Sequence, residues 1–135
     1  MNQFDLKNRT AIITGGAQGF GFDIAKRFLK SGAKVIIWDI DKNELLKASK
    51  ELNSHNLSYN IVDVSSYDQV QSTSSEIIKK SNIDILINNA GITGSTASVW
   101  EYDEEEWYKI ININLMGTFN CCKSIVPNMI KNNYG

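Results

Sequence analysis

The run Ile12-Ile13-Thr14-Gly15-Gly16-Ala17-Gln18-Gly19-Phe20-Gly21 starts apolar, breaks into glycines and opens a helical pattern. A short strand there delivers the backbone to a tight turn, and glycine lets the turn take positive φ and approach a bulky group without Cβ collisions. The first N–H groups of the following helix, and its dipole, then face an anion such as a pyrophosphate. Strand, glycine turn and helix in that order predict an α/β layer with a dinucleotide-binding turn. The spacing of Gly15, Gly19 and Gly21 departs from G-x-G-x-x-G, since Ile24 stands three places after Gly21.

The rest of the chain keeps the same alternation. Residues 10–14 read as a strand, and residues 19–31 carry Phe20, Ile24, Ala25, Phe28 and Leu29 at helical spacing, closed by Gly32. Residues 33–39 form a second strand. Asp41 with Glu44 is a capping pair for a helix to about Leu52. Residues 57–62 are a third strand, Ser65 with Asp68 starts a helix to about Lys80, and residues 83–87 are a fourth strand. Asp103 with Glu106 starts a long last helix to about Asn132, with Pro127 expected to kink it or mark its final turns.

Four β-α repeats with apolar strands predict a parallel sheet covered by helices on both faces. This is the first half of a doubly wound, Rossmann-type sheet of order 3-2-1-4, and 135 residues are one domain's worth. The long helix is apolar nearly all round, through Trp107, Ile110, Ile111, Ile113, Leu115, Phe119, Ile125, Val126 and Ile130, which predicts burial on more than one side.

Composition excludes several partners. A net charge of −1 leaves no basic footprint for nucleic acid or an anionic membrane surface. The first six residues hold no apolar signal core, and no run approaches the length of a membrane span, so a cytoplasmic protein is expected. Cys121 and Cys122 are adjacent on a helix, which argues against a structural disulfide, and no metal site is visible. His55 reads as a solvated loop residue, and Glu104, Glu105 and Glu106 as an acidic first helical turn.

Asp39 ends the second strand eighteen positions after Gly21. A carboxylate there can accept both ribose hydroxyls of an adenosine, and it opposes a 2′-phosphate. Two unit charges about 4 Å apart at an effective dielectric of about 20 interact by about 4 kcal/mol. Ala17, Gln18 and Ile40 supply no basic residue to offset that repulsion, which favours NAD over NADP; Lys42 is the one nearby cation in sequence. The plainer alternative is that Asp39 only opens a turn with Asp41. Beyond the third and fourth strands, where such a sheet presents its crevice, stand Asp63-Val64 and Asn88-Asn89-Ala90-Gly91. Taken alone, each is also an ordinary loop or turn.

Thr14, Gly15, Gly19 and Gly21 match the T-G-x-x-x-G-x-G signature, and with the segments after each strand the chain resembles the short-chain dehydrogenase/reductase family. Residues 112–119 resemble that family's N-L-x-G segment. The resemblance implies that Thr14, Gly15, Gln18, Gly19, Phe20, Gly21, Asp39, Asp63, Val64, Asn88, Asn89, Ala90 and Gly91 bind the cofactor. It gives Asn114 the role of anchoring a water in a proton relay. It also implies hydride transfer between a nicotinamide and a secondary alcohol or ketone, and a dimer or tetramer formed through the helix between Glu104 and Ile130. The loop 92–102 resembles members that act as 3-oxoacyl-carrier-protein reductases and as sugar-acid dehydrogenases.

The family's tyrosine, followed by lysine at the fourth position, has no counterpart. Tyr59, Tyr67, Tyr102, Tyr108 and Tyr134 all lack that lysine. Asn132-Asn133-Tyr134-Gly135 resembles the turn leading into the family's fifth strand, which bears the catalytic serine. The expectation is a domain incomplete at its C-terminus, inactive alone, whose fourth strand is an unpaired apolar edge. The alternative is a non-catalytic half-domain that binds NAD or a partner.

Overall fold

Strand β1 (Thr10–Thr14) is buried along its whole length and pairs in parallel on both sides. The computed structural model describes residues 4–135, so Met1, Asn2 and Gln3 of the polar N-terminal stretch lie outside the described residues. On one side β1 meets β2 (Lys34–Asp39), which in turn meets β3 (Leu57–Ile61); on the other it meets β4 (Ile85–Ile87). The order is β3-β2-β1-β4, all parallel, as the alternation of strands and helices predicts.

Alternate residues of the central strands feed two cores. Ile13, Val35 and Ile37 pack with Ala25 of α1 (Gly19–Lys30) and Leu45 of α2 (Lys42–Leu52). Ile12, Ile36 and Trp38 pack on the other face with Val70 of α3 (Tyr67–Ile78), and with Cys121 and Ile125 of α5 (Gly117–Lys131). Both faces of β1 and β2 are therefore apolar, which is why these strands read as continuous hydrophobic runs.

Side-chain caps start the helices where the chain turns back from the sheet. Asp41 accepts from the backbone N–H groups of Asn43 and Glu44 at 2.8 and 3.1 Å. For α3 the cap is Ser66, which accepts from Gln69, and not Ser65. Ser65 is held instead by Asp63, whose Oδ1 takes both its N–H at 2.9 Å and its hydroxyl at 2.6 Å. Two adjacent serines are equivalent in a pattern; the aspartate two places earlier decides between them.

The fourth strand is shorter than residues 83–87. Ile83 is buried, but its N–H goes to Asn128 Oδ1 at 3.1 Å, and Asp84 donates its N–H to Thr10 O at 2.9 Å. The Asp84 carboxylate accepts from Thr10 N–H at 2.8 Å and pairs with Arg9 at 3.3 Å, so side chains take over part of the ladder at this end of the sheet. Beyond β4 the sheet has an open edge.

The long last helix is not one regular helix. It runs as α4 (Glu104–Ile111), a π-helical turn (Asn112–Met116) and then α5, with the Gly117 N–H donated to Asn112 O. Each such turn inserts a residue and rotates the faces that follow. Gly117, Asn120, Cys121, Ser124 and Ile125 are buried against the sheet and α3. Trp107, Leu115, Phe119, Val126 and Ile130 are exposed, so burial on more than one side does not occur within this chain, because the sheet covers one face alone. Pro127 sits inside α5, which continues to Lys131. Among the described residues, no helix is long and apolar enough to cross a membrane.

Both cysteines are free, Cys121 buried and Cys122 half-buried. Burial, and then the neighbouring Cys122, push the Cys121 thiol from 9.0 up to about 12. The folded state holds it protonated while the unfolded chain ionises near pH 9, so its contribution to stability is complete below pH 9 and is lost as pH rises towards 12. In urea titrations across that range, stability should fall more steeply for the native protein than for Cys121→Ala. Gly117 yields a second prediction. A methyl there would lie 2.6 Å from Val64 Cγ2, on a stiff β-branched side chain. Gly117→Ala should gain about 1 kcal/mol of helix propensity and lose about 1–3 kcal/mol to overpacking, for a lower urea midpoint than the native protein.

Candidate functional site

Where β1 ends, the chain turns under a neighbour. Gly15 has φ of +61°, and a methyl there would lie 2.9 Å from Ala90 Cα and 3.0 Å from Asn89 Nδ2. At Gly21 a methyl would run into the Gly15 carbonyl oxygen and stand 2.6 Å from Asn89 Nδ2. Only glycine permits the turn after β1, the first turn of α1 and the segment after β4 to meet this closely.

That meeting is fixed by hydrogen bonds. The Thr14 hydroxyl accepts from Asn89 N–H at 3.1 Å and from Ala90 N–H at 3.0 Å, and donates to Ile87 O at 3.4 Å. The Asn89 amide returns the connection, donating to Thr14 O at 3.1 Å and Gly15 O at 3.0 Å. Helix α1 starts with no side-chain cap and no acidic residue in its first turn, unlike α2, α3 and α4, each of which has both. Its leading N–H groups and the positive end of its dipole are available to an anion.

Beside this turn lies a cleft of about 280 Å³. Gly15, Gln18, Asp39, Asp63, Val64, Asn89, Ala90 and Gly91 line it, together with Ile40, Val62, Ile92 and Ile113. The Asp39 carboxylate accepts from Ala17 N–H at 3.3 Å and from Asp41 N–H at 3.2 Å, which fixes it at the rim, half-buried. Behind the opposite wall, the buried amide of Asn120 donates to Val64 O at 2.9 Å, holding the segment after β3 against α5. The cleft thus has an apolar body and an acidic rim, a form that suits a flat apolar ring joined to a hydroxylated group.

Asn114 lies in the π-helical turn and reaches across to the segment after Gly91. Its Oδ1 accepts from Ile92 N–H and its Nδ2 donates to Ile92 O, both at 2.9 Å. A mid-helix asparagine has a helix propensity cost, and here its side chain replaces a strand partner for Ile92.

Eight of the residues expected at the site therefore share one cleft. Thr14 and Asn114 support it from behind, and Gly19, Phe20 and Gly21 form the adjoining helix start. Asn88 lies outside the lining, with its amide 3.5 Å from Cys122 Sγ. The four apolar lining residues and Asn120 were not expected as site residues. An isoleucine directly after the acidic strand end, Ile40, was the one signal in the sequence for the apolar wall. Asn89→Ala should leave the Thr14 and Gly15 carbonyls without a donor and lower stability by about 1–3 kcal/mol, measured by urea denaturation.

Known proteins with this arrangement are readily found. The chain is 41% identical over 130 residues to a 3-oxoacyl-[acyl-carrier-protein] reductase of Chlamydia trachomatis, covering 93% of this chain and 52% of that protein. It is 37% identical over 128 residues to the 2-dehydro-3-deoxy-L-rhamnonate dehydrogenase (NAD(+)) of a Sphingomonas species, covering 94% and 51%. The crystal structure of gox2181 superposes with a TM-score of 0.92 at 33% identity, over 97% of this chain and 52% of that one. The chain spans about half the length of the curated relatives it matches. Residues 9–135 match the short chain dehydrogenase family, and on the shared sequence, strand order and glycine turn this chain belongs to that family.

Proposed function

We propose that this chain is the cofactor-binding half of an NAD-dependent oxidoreductase that moves a hydride between the nicotinamide and a secondary alcohol or ketone. Residues 1–135 then form a single Rossmann domain that is incomplete at its C-terminus. The observation that carries the cofactor choice is Asp39, held by two backbone N–H groups at the rim of the same cleft as Gly15. In this reading its carboxylate accepts the adenosine ribose hydroxyls. Asp63, Val64, Ile40 and Ile113 flank the adenine, and the start of α1 at Gln18, Gly19, Phe20 and Gly21 receives the pyrophosphate. Asn89, Ala90 and Gly91 carry the cofactor on towards β4, and Asn88, whose side chain faces Cys122, contributes through its backbone alone.

The backbone supports this fit. Gly19 has φ of +55°, and a methyl there would meet nothing within 4 Å, so the start of α1 is open on its outer side. Nicotinamide supplies the hydride chemistry, and the protein orients it and handles the proton. Asn114 is the one residue of the family's proton relay assigned to this chain. By itself the chain is inactive in this reading, with the tyrosine, lysine and serine supplied by sequence beyond it. The exposed apolar row of Trp107, Leu115, Phe119, Val126 and Ile130 supports a dimer or tetramer formed along α4 and α5. The names of the two relatives, a 3-oxoacyl-[acyl-carrier-protein] reductase and a 2-dehydro-3-deoxy-L-rhamnonate dehydrogenase, support a carbonyl compound or its alcohol as the substrate.

Among the described residues, no lysine or arginine lines the cleft to accept a 2′-phosphate. Titration of the chain with NADH and NADPH, followed by nicotinamide fluorescence, should give a Kd at least about tenfold lower for NADH, within the reach of one carboxylate's repulsion. Asp39→Ala should weaken NADH and bring the two affinities within about threefold. Equal or tighter binding of NADPH by the native chain would overturn the NAD assignment, and binding of neither would overturn the cofactor reading.

A further inference from the structure

Past Ile92 the chain enters the loop 93–103, exposed over residues 93–97, before α4 begins. This loop is tied down at three places. Asn114 grips Ile92 through both backbone groups. Three residues on, Ser95 gives its backbone N–H at 3.1 Å and its hydroxyl at 3.0 Å to one oxygen, Oε1 of Glu106. Between them Gly94 lies under Tyr102, so close that a methyl there would run into the Tyr102 hydroxyl and into Ile110 Cδ1.

Tyr102 is itself braced. Its ring meets Trp107 edge-on, with centroids 5.7 Å apart and planes at 77°. Burial, then the charge and hydrogen bond of Glu106, raise its phenol above the ordinary value. Glu106 stands at the third position of α4, where Asp103 already receives its backbone N–H at 2.8 Å. A glutamate at that position of a capping box reaches back to the cap residue's own N–H. Here Oε1 turns outward to Ser95, so the residue holds the loop and does more than start a helix.

The strand order says what the loop faces. β4 lies on the far side of β1 from β2 and β3. A dinucleotide with its adenosine at Asp39 and Asp63 and its pyrophosphate at α1 extends its nicotinamide towards β4. The segment that leaves β4 is then the wall beside the reacting carbon.

Resting on the cofactor reading above, we propose that Glu106 is a positioning residue: through Ser95 and Tyr102 it fixes the loop 93–98 as the substrate-side wall of the nicotinamide site. It touches neither cofactor nor substrate. Without it the loop has to be ordered each time a substrate binds, which weakens substrate binding and leaves cofactor binding unchanged. Charge-assisted hydrogen bonds to one carboxylate oxygen are suited to that task.

Three variants test this: Glu106→Ala, Glu106→Gln, which keeps an acceptor oxygen, and Ser95→Ala, which keeps the backbone bond. Amide hydrogen exchange of residues 93–98 in the chain should quicken at least about tenfold in Glu106→Ala, stay within about threefold in Glu106→Gln, and fall between in Ser95→Ala. Exchange in β1 and the Kd for NADH should stay within about twofold in all three. In the complete polypeptide, with ethyl acetoacetate as the ketone and NADH as reductant, Glu106→Ala should raise KM about fivefold or more at nearly constant kcat, with Glu106→Gln restoring it.

Unchanged loop exchange in Glu106→Ala, or faster exchange in β1 to the same degree, would overturn the proposal. Failure of the glutamine variant to restore the loop would do the same. Absence of NADH binding to the native chain would instead remove the cofactor reading itself, and the two failures are told apart by that single titration.

Discussion

The contact between the Asn89 amide and the backbone of Thr14 and Gly15 is the constraint on which the rest of the site depends. It joins the ends of β1 and β4 beyond the last ladder bond, and it needs glycine at both 15 and 21 to leave room. Thr14 completes the junction by accepting two N–H groups from the segment after β4. With these bonds in place, four backbone groups are satisfied inside the protein, the N–H of Asn89 and Ala90 and the carbonyls of Thr14 and Gly15, and the start of α1 is left with no side-chain cap of its own. The geometry that packs the sheet is thus the same geometry that presents free N–H groups to an anion.

From that junction the cleft follows in order along the strands. β2 ends in Asp39, β3 leads to Asp63 and Val64, and β4 leads to Gly91 and Ile92, each at the carboxyl end of a parallel strand. Asparagines do much of the fastening: Asn120 holds Val64, Asn114 holds Ile92, and Asn128 holds Ile83. An amide suits these places because it donates and accepts without a charge to desolvate. Outside the cleft, β4 is the last strand on its side of the sheet among the described residues, and α4 and α5 carry an exposed apolar row.

Much of this was legible in residue order. Continuous apolar runs at β1 and β2 declared strands buried on both faces, and Asp41 and Asp103 declared helix starts that the structure has. Less legible were features set by partners remote in sequence. Ser66 and not Ser65 caps α3 because Asp63 takes Ser65, and Ile83 leaves the strand because Asn128 and Asp84 offer side-chain bonds in place of the ladder. The π-helical turn at Asn112–Met116 has no periodic signature, since the sequence there is apolar nearly all round and an inserted residue breaks no stripe.

The sequence by itself determined the class of fold, the strand order, the glycine turn and the family, because hydrophobic periodicity and backbone permissiveness are properties of neighbouring residues. Tertiary structure alone decided which residues share the cleft, that Asn114 grips Ile92, and that Glu106 holds Ser95. Those contacts join residues 11 to 22 positions apart or more, and a hydrogen bond is specified by distance and angle, which only the packed sheet and helices set.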